Sequence, residues 1–123
     1  MKRRKTIEDY LKTIYIILQK KGSVCGADIA AELNLSRPTV SVSLRGFEQE
    51  GYITMNSSRE ILLTEKGKII ALEIFERYQT FYKLLLKLGV DSKIAKQDAC
   101  QLEHALSRDS YSALKKIHKN LCQ

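Results

Sequence analysis

The 123-residue chain contains no tryptophan, one proline and six glycines. So little turn chemistry argues against a turn-rich all-β fold and for a mostly helical one. Cysteine is also sparse. Cys25, Cys100 and Cys122 are an odd set that suggests no disulfide framework. No apolar run approaches the ~18 residues of a membrane-spanning helix. The opening MKRRKTIEDY is charged and lacks the apolar stretch of a signal peptide. The expected location is therefore the cytoplasm, without membrane association, where thiols stay reduced and available to metals. A glycine-rich phosphate loop and a nucleophile elbow are missing, and only two histidines are present, so an enzyme is not expected.

What is present points elsewhere. Hydrophobic residues make up 44% of the chain, enough for a real core, and the length suits one domain or a small domain with a short second one. The formal net charge is +7 and the isoelectric point near 9.4. A small basic protein of this kind fits a polyanion partner such as nucleic acid.

Apolar residues at Ile7, Tyr10, Leu11, Ile14, Ile17 and Leu18 predict a helix over 6–21, with Thr6 as its cap and Gly22 as its stop. A short helix follows over 26–34. Ser36 is a good N-cap for a third, with Pro38 in its first turn, Val40, Leu44 and Phe47 inward, and Gly51 at its end. The short link Asn34-Leu35-Ser36 gives helix-turn-helix spacing. "YITM" and "EILLT" flank the polar "NSSR" and read as a hairpin, which in this position is a wing. Thr64 then caps a long helix over 65–88, weakened in its first turn by Gly67. Two further helices are predicted over 91–106 and 108–121. The fold class is mainly α: a winged helix-turn-helix over 1–64, followed by a helical module over 65–123.

A recognition helix presents its first turns to base edges, and a wing reaches the backbone or minor groove. The DNA-contacting candidates are accordingly Ser36, Arg37, Pro38, Thr39, Ser41 and Arg59, with the basic arm Lys2 to Lys5 adding phosphate contacts. Small hydroxyls let the helix sit close to the groove, and Arg37 can reach a phosphate or a guanine. A winged helix can also serve as a protein-interaction module.

The segment "CQLEH" puts Cys100, Glu103 and His104 on little more than one helical turn. At 100° per residue they lie nearly opposite the apolar stripe Ala95, Ala99, Leu102 and Leu106. That face is wet or meets another element; Lys96 beside it fits a wet one. One helix cannot complete a metal shell, so a further ligand would have to come from elsewhere. His118 and Cys122 form a second, weaker pair at i and i+4.

"EDYLKTIY", "ADIAAELNLSRPTVSVSLRGFEQEGYI" and "DACQLEHALS", in that order, resemble the diphtheria-toxin-repressor and manganese-transport-regulator family over residues 6–121. The resemblance implies a metal-dependent transcriptional repressor of metal-homeostasis genes. It implies a homodimer on double-stranded DNA, with the module after the wing forming the dimer interface and contributing to the metal site. Carried over residue by residue, it implies metal ligands at Asp9, Cys100, Glu103 and His104. The ion would be Fe2+ or Mn2+. Two departures stand out. Lys12 occupies a position where manganese-type members have glutamate, and Tyr78 one where histidine is usual. A second ion is therefore not expected, leaving one per protomer at most. The alternative is a winged-helix regulator that has kept the scaffold and lost metal control, with the ammonium of Lys12 or Lys96 in place of a cation.

Overall fold

The computed structural model describes residues 2–121, with the side chains of Lys2 and Leu121 outside that description; Cys122 and its pairing with His118 fall beyond it. Six helices and one hairpin follow in the order α1 (Lys2–Lys21), α2 (Gly26–Leu33), α3 (Arg37–Gln49), β1 (Ile53–Met55), β2 (Ile61–Leu63), α4 (Glu65–Lys87), α5 (Ser92–Leu102) and α6 (Arg108–Leu121). Contacts divide the chain into two compact units, meeting between Leu72 and Glu73 inside α4.

The first unit is the winged helix-turn-helix. Its core gathers Tyr10, Leu11 and Ile14 of α1, Ile29 of α2, Val40, Leu44 and Phe47 of α3, and Ile53 and Ile61 of the hairpin. These are the inward positions of each helical period, so burying them docks every element at once. Tyr10 meets Phe47 edge to face at 5.0 Å between ring centres. The N-terminus of α1 departs from expectation. Thr6 lies inside the helix and caps nothing, because the basic residues before it are good helix formers and continue the turn. Arg4 pairs with Glu8 four residues on, at 3.5 Å, and Arg3 with Glu50 at the end of α3. The expected basic arm is thus the first turn of α1.

The turn between α2 and α3 is made by Asn34 in the left-handed region, φ 56°, a conformation that asparagine tolerates better than most residues. The hairpin pairs Ile53 with Leu63 and Met55 with Ile61 in antiparallel register. Its outer strand is also anchored to the loop before α2, since Ile61 N–H donates to the Val24 carbonyl at 2.9 Å. Thr64 caps α4 as the sequence suggests, its Oγ1 accepting from Gly67 N–H at 3.2 Å. The structure supplies the reason for Gly67: a Cβ there would fall on the Tyr52 carbonyl oxygen, well inside contact distance.

In the second unit, Phe81, Ala99 and Tyr111 are buried, with Tyr78, Tyr82, Leu102, Leu106 and Leu114 packed on them. Asp91 caps α5 through Lys93 N–H at 3.1 Å, and Ser107 caps α6 through Ser110 N–H at 3.2 Å. Here α5 stops at Leu102, four residues short of the expected Leu106. Ser107 opens the next helix, and the chain needs the residues before it to turn. Among the described residues no helix is long and apolar enough to cross a membrane.

Candidate nucleic-acid interface and metal centre

The start of α3 is built by its own cap. Ser36 Oγ accepts from Thr39 N–H at 3.2 Å and shares a hydrogen with Thr39 Oγ1 at 2.7 Å. The two hydroxyls therefore hold each other, and present a small, preformed polar corner beside Pro38. Arg37, Pro38, Thr39 and Ser41 are all exposed. The wing tip is equally constrained. Asn56 Oδ1 accepts from both Ser58 N–H and Glu60 N–H at 2.9 Å, and Asn56 O accepts from Arg59 N–H at 3.0 Å. Arg59 sits at the tip with φ 63°, an uncommon conformation for a side chain of its size.

All six DNA-contacting candidates thus lie on the exposed start of α3 or on the wing. Two features of the same surface escape the sequence reading. Val42 is 68% exposed on α3, an apolar group suited to a thymine methyl. The signal was present, since Val40 alone completes the inward period and leaves Val42 facing out. The other is a groove of about 580 Å³ between α3 and the wing, lined by Arg37, Ser41, Arg45, Glu48, Met55 and Arg59 among others.

The metal-ligand candidates divide between the units. Asp9 is half-buried on α1, next to three buried polar residues, Glu8, Lys12 and Thr13. In the second unit Cys100 lies in the last turn of α5, Glu103 caps its C-terminus, and His104 is in the turn that follows. Cys100 and His104 are half-buried, and Glu103 is 0% exposed. Of the two readings of this face, wet or in contact with another element, its burial fits the second. Glu103 keeps the helical conformation, φ −59° and ψ −23°, and donates its N–H to the Ala99 carbonyl at 3.0 Å, so it holds its place on the face opposite the apolar stripe and is buried there, while Lys96 stays exposed. A buried carboxylate is costly unless its charge is compensated.

The donor chemistry suits a transition ion: two carboxylates, one thiol and one imidazole form a mixed O/N/S set. Three of the four also gather at the C-terminal end of α5, where carbonyl oxygens make the potential negative and favour a cation. Tyr78 faces the same group of side chains. Its hydroxyl is pushed above its ordinary value of 10.0, first by burial, then by electrostatic repulsion from Cys100, Tyr82 and Glu103 beside it. Its ring stacks on Tyr82 at 5.8 Å. A neutral phenol at that position adds bulk rather than an anionic donor.

Comparison with known proteins fits both halves. Residues 4–61 match the model of the iron-dependent repressor N-terminal DNA-binding domain, and residues 64–122 that of the iron-dependent repressor metal-binding and dimerisation domain. The transcriptional regulator MntR of Escherichia coli is 36% identical over 113 residues, covering 92% of this chain and 73% of the relative. The iron-dependent repressor IdeR of Mycobacterium tuberculosis is 32% identical over 116 residues, covering 94% and 50%. Among solved structures, the manganese regulator SloR superposes with a TM-score of 0.78 at 27% identity, over 90% of this chain and 52% of that one. The chain therefore spans about half the length of IdeR and SloR. With both domain models matched in order along nearly the whole chain, the protein belongs to the iron-dependent repressor family.

Proposed function

We propose that the protein is a metal-dependent DNA-binding transcriptional regulator, a repressor of metal-homeostasis genes acting as a homodimer. Residues 1–64 would bind DNA, and residues 65–123 would dimerise and bind metal. Asp9, Cys100, Glu103 and His104 would hold Fe2+ or Mn2+, with about one ion per protomer. The observation that carries the metal site is Glu103, a fully buried carboxylate between two half-buried donors at a helix C-terminus. A divalent ion would match the mixed carboxylate, imidazole and thiol donors of such a set. Cys100, Glu103 and His104 belong to the second unit and Asp9 to the first, so joint ligation would favour one arrangement of the two. Two recognition helices in a dimer must land about one DNA turn apart. A ligand that fits one arrangement better shifts the population toward it.

A second reading has an observation of its own. Lys12 is only 8% exposed on α1, and a buried ammonium could provide the positive charge without metal. An anaerobic cobalt(II) titration of the reduced protein separates the two. Thiolate ligation gives a charge-transfer band; saturation near one ion per chain, lost in His104→Ala, is the expected result. Cobalt binding without that band would remove the Cys100 sulfur from the shell. No binding at all would leave the metal-independent regulator as the better account.

A further inference from the structure

Three cations of the first unit line one groove. Arg37, Ser41 and Arg45 stand four residues apart and share one face of α3, and Arg59 comes from the wing. None of the three guanidinium groups has a hydrogen-bond or ion-pair partner among the described residues. Like charges held around one space repel one another, and an anion between them relieves that repulsion. Guanidinium groups match phosphate oxygens in planar, two-pronged geometry. The same groove contains a single acid, Glu48. On a surface that is to bind DNA, a carboxylate is unfavourable by charge alone, so its place there calls for another role.

The hydrogen bonds provide one. Glu48 Oε2 accepts from the backbone N–H of Met55 at 3.3 Å. Met55 is the last residue of β1, where the chain leaves the ladder for the wing tip. The bond therefore runs from the recognition helix to the wing. Beyond Met55 the tip is tied together by Asn56, so the tip and Arg59 follow wherever Met55 is held.

We propose that Glu48 is a positioning residue, which registers the wing against α3 so that Arg59 joins Arg37 and Arg45 around one segment of DNA backbone. This rests on the DNA-binding reading above. Loss of Glu48 would not unfold the wing. Ile53 and Ile61 stay buried in the core, and Ile61 N–H stays bonded to the Val24 carbonyl. What would be lost is the alignment of the tip.

The test turns on the sign of an effect. The full chain, saturated with manganese(II), is titrated against a mixed-sequence DNA duplex at several salt concentrations, because phosphate contacts need no operator. Arg45→Ala and Arg59→Ala should each flatten the salt dependence by roughly one contact, about a 3.5-fold smaller loss of affinity over a fourfold rise in salt. Glu48→Gln removes the charge but keeps an acceptor for Met55, and should bind at least as tightly as the unaltered chain. Glu48→Ala removes a negative charge and yet should bind several-fold more weakly, with the flattened slope of Arg59→Ala. Adding Arg59→Ala to it should then change little. Thermal unfolding of each variant separates alignment from stability. Glu48→Ala binding as tightly as Glu48→Gln would overturn the positioning role while leaving DNA binding intact. Failure of the unaltered chain to show any salt-dependent binding would instead sink the DNA-binding reading, and the positioning role with it.

Discussion

The two units are held together by different means. The first buries a continuous, mostly aliphatic core, with Tyr10 and Phe47 inside it, drawn from its three leading helices, the hairpin and the start of α4. The second gathers a smaller cluster around Phe81, Ala99 and Tyr111, and fastens its helices with polar groups. Tyr111 of α6 donates to Glu76 Oε1 at 3.1 Å and accepts from Thr80 Oγ1 at 3.1 Å. Lys115 pairs with the same Glu76 oxygen, and Arg77 donates to the Leu106 carbonyl at 2.7 Å while lying over the Tyr111 ring. Large apolar residues stay exposed in both units, among them Val42 and Leu62 in the first and Leu88 and Ile94 in the second. The contrast separates tasks. A close-packed unit holds a recognition surface in fixed shape. A unit with a small core held largely by polar contacts leaves room for stabilisation by whatever binds it.

The largest effect expected from a single methyl group lies in the first unit. Gly67→Ala should be favourable by about 1 kcal/mol on helix propensity alone. The Tyr52 carbonyl occupies the space that the new Cβ requires, and backbone cannot swing aside as a side chain can. We expect a net destabilisation of about 1–3 kcal/mol, read as a lower urea midpoint. A variant as stable as the unaltered chain would show that the junction of hairpin and α4 has slack, and would weaken the contrast between the units.

The next effect belongs to the second unit. Tyr111→Phe keeps the ring against Phe81, 5.8 Å between centres, and removes only the hydroxyl. Buried Thr80 then loses a partner, and the Glu76 carboxylate loses a donor, for a cost of about 1–2 kcal/mol at neutral pH. The pH dependence has a definite sign. Lys115, and then the Tyr111 hydroxyl, hold Glu76 below its ordinary value of 4.5. A folded-state value below the unfolded one contributes stability that is present above about that pH and lost as pH falls through the folded value. The difference between the two proteins should therefore shrink in acid, leaving the Thr80 share. Glu76 is about half exposed, so solvent moderates its part. A difference that stays constant down to pH 3 would remove Glu76 from the account.

Legibility in the sequence follows the same division. Ser36, Pro38, Gly51 and Thr64 announce their helix ends because capping is local chemistry, readable within four residues. The start of α1 is not local: Arg3 is paired with Glu50, 47 positions away. The end of α5 is also hidden, since "CQLEHALS" has no glycine or proline to mark it. Periodicity put Glu103 on the face opposite the apolar stripe, but it could not say whether that face is wet or covered, because that depends on what packs there and not on the helix itself. The DNA side was legible as a set of exposed residues on α3 and the wing. The groove that gathers Arg45 and Glu48 with Arg37 and Arg59 depends on where the hairpin docks, and a linear pattern does not contain that.

The smallest effect returns the same chemical change to the first unit. Tyr10 is 1% exposed, and its hydroxyl has no hydrogen-bond partner among the described residues. A buried hydroxyl without a partner is a desolvated dipole, and deleting it removes that penalty. The ring, which makes the edge contact with Phe47, is kept. Tyr10→Phe should therefore leave the chain as stable or more stable, by up to about 1 kcal/mol, where Tyr111→Phe makes it less so. Denaturant unfolding of the two variants side by side reads the sign directly. Opposite signs would mean that one unit tolerates the tyrosine hydroxyl while the other is built on it. A loss of more than about 1 kcal/mol in both would mean that the first unit, too, depends on a polar contact in its core.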